Sequence, residues 1–173
     1  GEIKTRFELA ESDSLVASHI DNVDQLTPND KYPAGLQPRS RETMESVTQI
    51  QQISGSNFRP RSIVEADVLG KSGEPVVGLD NLVESGNVRI LALRRIYKEG
   101  GKKLDSYKAE MKAWARTYGL DPAKVDSMKE PILIRRRMSD LSPETRIIFT
   151  QHANVSDFAA MRSSELAMND ARL

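Results

Sequence analysis

No cysteine occurs anywhere in the 173 residues, which removes disulfides, thiolate metal sites and thiol catalysis together. Aromatic residues make up only 5% of the chain, so a core has to be built mainly from aliphatic side chains. A charge of one sign is also missing. Lys plus Arg and Asp plus Glu number 25 each, without the overall basic excess of a dedicated nucleic-acid binder, although a local basic patch stays open. No run of about 18 apolar residues exists, and Gly1-Glu2-Ile3-Lys4 has no signal-peptide pattern, so no membrane partner and a cytoplasmic location are expected. What is present is 38% hydrophobic and 29% charged residues, enough for one domain over 1–173 with a real core and short for two. Gly1 reads as a cleavage scar and Ala167 to Leu173 as a helix cut mid-course, so the expectation is a domain excised from a longer protein with further domains.

Hydrophobic spacing gives the local reading. Residues 4–10 alternate as a strand, and a polar loop from Ser18 to Pro38 follows; loops of that length tend to be functional. Met44, Val47, Ile50 and Ile53 share one face of a helix over 42–53, with Ser40 as its N-cap. Residues 54–73 read as loop. Pro75 to Gly78 and Asn81 to Glu84 read as a β-hairpin, after which Ser85-Gly86-Asn87 opens a helix over 88–97. Leu104, Tyr107, Met111, Trp114 and Tyr118 define a second amphipathic helix that Gly119 ends. Asp121-Pro122 starts a short helix to about Met128. Ile132 to Ile134 reads as a buried strand leaving through Arg135 to Arg137, Ser142-Pro143-Glu144 opens a further helix, and a last one starts near Ser163 after a break at Asn154 to Asp157.

Three segments have the composition for chemistry. Glu84-Ser85-Gly86-Asn87-Val88-Arg89 sits where a strand gives way to a helix, and helix starts offer unpaired N–H groups and the positive end of the macrodipole to an anion. Glycine permits close backbone approach, Arg89 brings a fork of donors, and Asn87 can bond a hydroxyl, a base edge or a metal-bound water. A glycine serving only a tight turn, with Asn87 as N-cap and Arg89 in solvent, explains the spacing more simply. Gln37-Pro38-Arg39-Ser40-Arg41 places two guanidinium groups beside a helix start, and as a plain surface loop it would mean nothing. Gln151-His152-Ala153-Asn154 is the third. His152 and His19 give no metal-ligand spacing, so no metal site is expected. Arg135 to Arg137 suit either a nucleic-acid backbone or, the favoured reading, a solvated edge strand, and Trp114 is expected in the core.

In this order the segments resemble the ParB/sulfiredoxin superfamily, and more closely its DdrB-like ParB branch of large phage and plasmid proteins. The resemblance rests on Ser18-His19, Tyr32-Pro33, Gln37-Pro38-Arg39, Glu84-Ser85-Gly86-Asn87-Val88-Arg89 and Ala153-Asn154. It implies an α+β fold in which a small mixed sheet with a β-hairpin packs against several helices. It implies a nucleoside triphosphate, CTP or ATP with Mg²⁺, with Arg39, Gly86, Arg89 and Asn154 matching the family's boxes; with Arg41, Ser85 and Asn87 from the same segments they make the candidate binding set. Asn87 stands where ParB proteins carry glutamate, which bears on hydrolysis, and Val88 replaces a glycine usual in the branch and is expected to reshape the anion loop. Sulfiredoxin chemistry needs the missing cysteine.

Members of this superfamily differ in activity, so the resemblance leaves three readings. The leading one is a nucleotide-binding domain of a phage or plasmid-type protein with weak NTPase or kinase-like activity and no assigned catalytic residue. The second is a nuclease acting on DNA, with Glu65, Asp67, Asp80 and Glu84 as the nearest carboxylates for a metal. The third is a catalytically silent interaction module.

Overall fold

A computed structural model describes residues 3–36, 44–64 and 73–153. Six strands and six helices occur among them. β1 (Thr5–Glu11), β4 (Val76–Val77), β5 (Val83–Ser85) and β6 (Pro131–Arg137) form one mixed sheet in the order β1-β6-β4-β5. β6 runs antiparallel to β1 and parallel to β4, and β4 and β5 form the expected antiparallel hairpin. This is the α+β arrangement anticipated above.

β6 is apolar over Ile132, Leu133 and Ile134 because it lies inside the sheet; all three are fully buried. Helix α3 (Asn87–Glu99) contributes Val88, Ile90, Leu91 and Leu93 to the same core, and α4 (Gly101–Thr117) contributes Tyr107 and Met111. Each fully buried aliphatic side chain of this size contributes about 1.5–3 kcal/mol. α1 (Met44–Ser54) packs on α3 through a face that includes Val47 and Ile50, whereas Met44 is exposed. Trp114 is only partly buried and packs against the core, beside a stack of Phe7 on Tyr118.

Several elements differ from the sequence expectation. The segment after Ser18 is not loop throughout: β2 (His19–Asp21) and β3 (Leu26–Pro28) form a two-stranded ribbon. Strands of three residues are too short to show a period. Residues 54–73 include a one-turn helix, α2 (Arg61–Val64), for the same reason. α6 (Pro143–Ala153) starts where Ser142 Oγ accepts the Thr145 N–H at 3.2 Å, whereas the N-cap of α5 (Lys124–Ser127) is Ala123, and Asp121 accepts the Ala123 N–H in the turn before it.

The largest correction concerns Arg135, Arg136 and Arg137. β6 is flanked by β1 and β4 over these residues, so they lie on an interior strand, not a solvated edge, and the last two are buried. Each is paired internally. Arg135 meets Glu74 at 3.0 Å and lies over the Phe7 ring; Arg136 meets Glu8 at 2.7 Å and donates to the Gly78 carbonyl and Asn81 Oδ1; Arg137 meets Glu84 at 2.7 Å. Three consecutive arginines thus fasten the β4–β5 hairpin to the sheet, and they offer no stripe to a nucleic-acid backbone.

Candidate functional site

The hairpin delivers Ser85 directly to Gly86, which adopts φ 88° and ψ 27° and starts α3 at the next residue. This left-handed conformation strains any residue with a Cβ, and a Cβ here would lie 3.0 Å from Arg89 Nη2 and 3.1 Å from the Pro75 Cα. The N-cap of α3 is this glycine, which has no side chain of its own to cap the helix. Instead the Arg89 guanidinium folds back over Gly86, with Nη1 donating to the Gly73 carbonyl at 2.8 Å. A cation beside the positive end of a helix is the unfavourable sense of the dipole interaction.

Asn87 does something the sequence did not suggest. It is 1% exposed; its Oδ1 accepts the Ser18 N–H at 2.8 Å and its Nδ2 donates to the Val83 carbonyl at 3.2 Å. Tyr32 Oη donates to the same Val83 carbonyl at 2.7 Å, and burial pushes its phenol up to about 12, so it stays a donor. Tyr32 and Asn87 therefore meet at one carbonyl of β5, and Ser18, from a third separated motif, joins them through the Asn87 amide. The Asn87 amide holds the turn in place and, in this conformation, is not a free ligand group. Val88 is buried and its side chain belongs to the core cluster.

Behind the turn lies an ionic cluster. Glu84 has no exposed surface; it accepts from Arg137 Nη2 at 2.7 Å and from Arg146 Nε at 2.6 Å. Arg146, on α6, also grips both Asp80 oxygens at 2.7 Å. The hydrogen bonds from Arg146 hold the Asp80 carboxyl below the usual carboxylate range, and the bonds to Asp80 raise the Arg146 guanidinium, with burial opposing in both. Gly78 forms the floor, where a Cβ would come within 2.5 Å of Arg146 Nη2 and 2.7 Å of Glu84 Oε2. Two of the four carboxylates considered as metal ligands, Asp80 and Glu84, are thus committed to arginines.

Of the site residues expected from sequence, Ser85, Gly86, Asn87 and Arg89 come together at one junction. Arg39, Arg41 and Asn154 lie outside the described residues, as do Glu65, Asp67, Ser40, Ser163 and the Asn154 to Asp157 break. His152 is exposed on α6, and His19 is buried with Nδ1 2.9 Å from Ser18 Oγ. Arg146 was missed, because nothing local to α6 marks a partner 62 residues away.

A small mixed sheet whose hairpin feeds a Gly-Asn-x-Arg turn into a helix defines an α+β domain organised around that junction. The chain matches the family model of the ddrB-like ParB superfamily domain over residues 1–138 and belongs to that family. No curated protein and no solved structure matches it. Among the described residues no helix is long and apolar enough to cross a membrane.

Proposed function

We propose that this domain binds a nucleoside triphosphate, with a phosphate at the start of α3 between the backbone N–H groups of the first turn and the Arg89 guanidinium. The observation that carries the reading is a helix start whose N-cap is a left-handed glycine with a guanidinium folded over it. An anion placed there would satisfy the helix N-terminus and offset the unfavourable approach of Arg89 to it. Ser85 and Gly86 lead into this site, Asn87 fixes its backbone, Arg39 and Asn154 are the further contacts that the family resemblance implies, and Arg41 is a further candidate beside Arg39. Arg89 exchanges its bond to the Gly73 carbonyl for phosphate oxygens when the ligand arrives.

Mg²⁺ fits this reading as a companion of the phosphates, which supply most of its inner ligands in such sites. Among the described residues no cluster of three His, Asp or Glu side chains offers a metal cage of its own. The nuclease reading has less support, since Asp80 and Glu84 are neutralised by Arg146 and Arg137.

The test is a thermal-shift screen with CTP, ATP and GTP, each with and without Mg²⁺. A ligand that binds the folded state raises its apparent stability by mass action. A rise with at least one triphosphate supports the reading, and no rise with any of them contradicts it.

A further inference from the structure

A second cleft lies along α3, beyond the turn just described. It holds about 520 Å³ between the β2–β3 ribbon and the C-terminal half of α3, a size that suits a small molecule. His19, which the nucleotide reading leaves without a role although its neighbour Ser18 holds Asn87, forms part of its wall. The charges around the cleft do not balance. Asp21 is taken by Arg95 at 2.6 Å and Glu99 by Lys103 at 3.2 Å. Arg94 and Lys98, one helical turn apart on the same face of α3, make no ion pair of their own among the described residues; Asp13 and Glu130 act on Arg94, and Lys98 acts on Asp21, only through longer-range attraction. Arg94 gives Nε and Nη2 to neutral oxygens of Ser12 and Leu15, and among the described residues it has no carboxylate within ion-pair distance. Lys98 is exposed and makes no ion pair among the described residues. Beside these cations the lining is apolar: Leu91 is buried, whereas Ile20 and Val23 are 49% and 59% exposed.

We propose that this cleft binds a small organic anion, its carboxylate or phosphate against Arg94 and Lys98 and its apolar body against Leu91, Ile20 and Val23. The paired charges at Asp21 and Arg95 anchor the ribbon as the opposite wall and take no part in recognition. The site is separate from the α3 N-terminus and does not depend on the nucleotide reading.

The experiment is an NMR titration of the ¹⁵N-labelled chain with phenyl phosphate, benzoate and benzyl alcohol, the first two sharing an anionic head and the third lacking it. Both anions are expected to shift amide signals of residues 19–23 and 91–99, and benzyl alcohol to shift them far less. Lys98→Glu, at an exposed position, is expected to weaken both anions about tenfold or more, the loss of one hydrogen bond to a charged group. Arg89→Ala is expected to leave them unchanged. Shifts absent from the cleft or confined to residues 86–89, equal shifts with benzyl alcohol, or full affinity in Lys98→Glu would each overturn the proposal.

Discussion

Arg146 and Glu84 meet at 2.6 Å across the junction of α6 and β5, and the carboxylate that receives this bond has no exposed surface. Arg137 reaches the same carboxylate from β6, so one acidic side chain ties α6 and β6 to the strand that ends in the Gly86 turn. Burying a charge is costly unless it is paired and hydrogen-bonded, and here both conditions are met.

Glu84→Gln replaces the shared anion with a neutral amide and leaves two arginines facing it. Removing one partner from a buried pair typically costs about 3–5 kcal/mol. Urea unfolding is expected to show a loss of that order. A change under about 1 kcal/mol would place the pair with exposed ion pairs of little consequence.

Gly78→Ala tests the floor of the cluster. The new methyl would press on Arg146, Glu84 and Arg137 at once, and overpacking of this kind costs about 1–3 kcal/mol. Combining it with Arg146→Ala is expected to give a smaller loss than the sum of the two single variants, since the closest contact at 2.5 Å is then gone. Additive losses in the double-mutant cycle would show that the crowding is not with Arg146.

Acid should destabilise the fold in a defined direction. Hydrogen bonds from Arg95, Arg146 and Arg136 hold Asp21, Asp80 and Glu8 below their ordinary values. A depressed carboxylate contributes stability that is fully present above its unfolded pKa, near about 4, and lost as pH falls through the folded value. Urea midpoints measured downward from neutral pH are expected to fall below about pH 5 and to keep falling. The triple variant Glu8→Gln, Asp21→Asn, Asp80→Asn should start lower and show a flatter profile; an unchanged slope would assign the acid sensitivity to other groups.

The sequence made the hairpin, the glycine and the following helix readable because turn chemistry and helical period are local signals, and Gly86 does start α3 in a left-handed conformation. It made the roles of polar residues much less readable. Arg135 to Arg137 look like a solvated strand end until β1 and β4 flank them, and the partner of Arg136 on β1 is 128 residues distant. Asn87 has the composition of a ligand residue, yet its amide is used between Ser18 and Val83, a geometry that only the assembled sheet creates. The β2–β3 ribbon left no trace because each strand has three residues.

Gly86→Ala links local backbone to function. A left-handed residue with a Cβ costs about 1–2 kcal/mol, and the methyl would also press on Arg89 and Pro75. Thermal unfolding is expected to show that loss without ligand, together with a reduced thermal shift on adding nucleotide. Full stability in the variant would mean that the turn relaxes out of the left-handed region.

The account rests most directly on Arg89, and isothermal titration calorimetry of the wild-type chain and Arg89→Ala with CTP, ATP and GTP in the presence of Mg²⁺ tests it. The wild type is expected to bind at least one triphosphate, and Arg89→Ala to lose about 1.5–3 kcal/mol of binding, roughly tenfold to a hundredfold, with little change in melting temperature without ligand. No binding by the wild type, or the same affinity in both proteins, would contradict it.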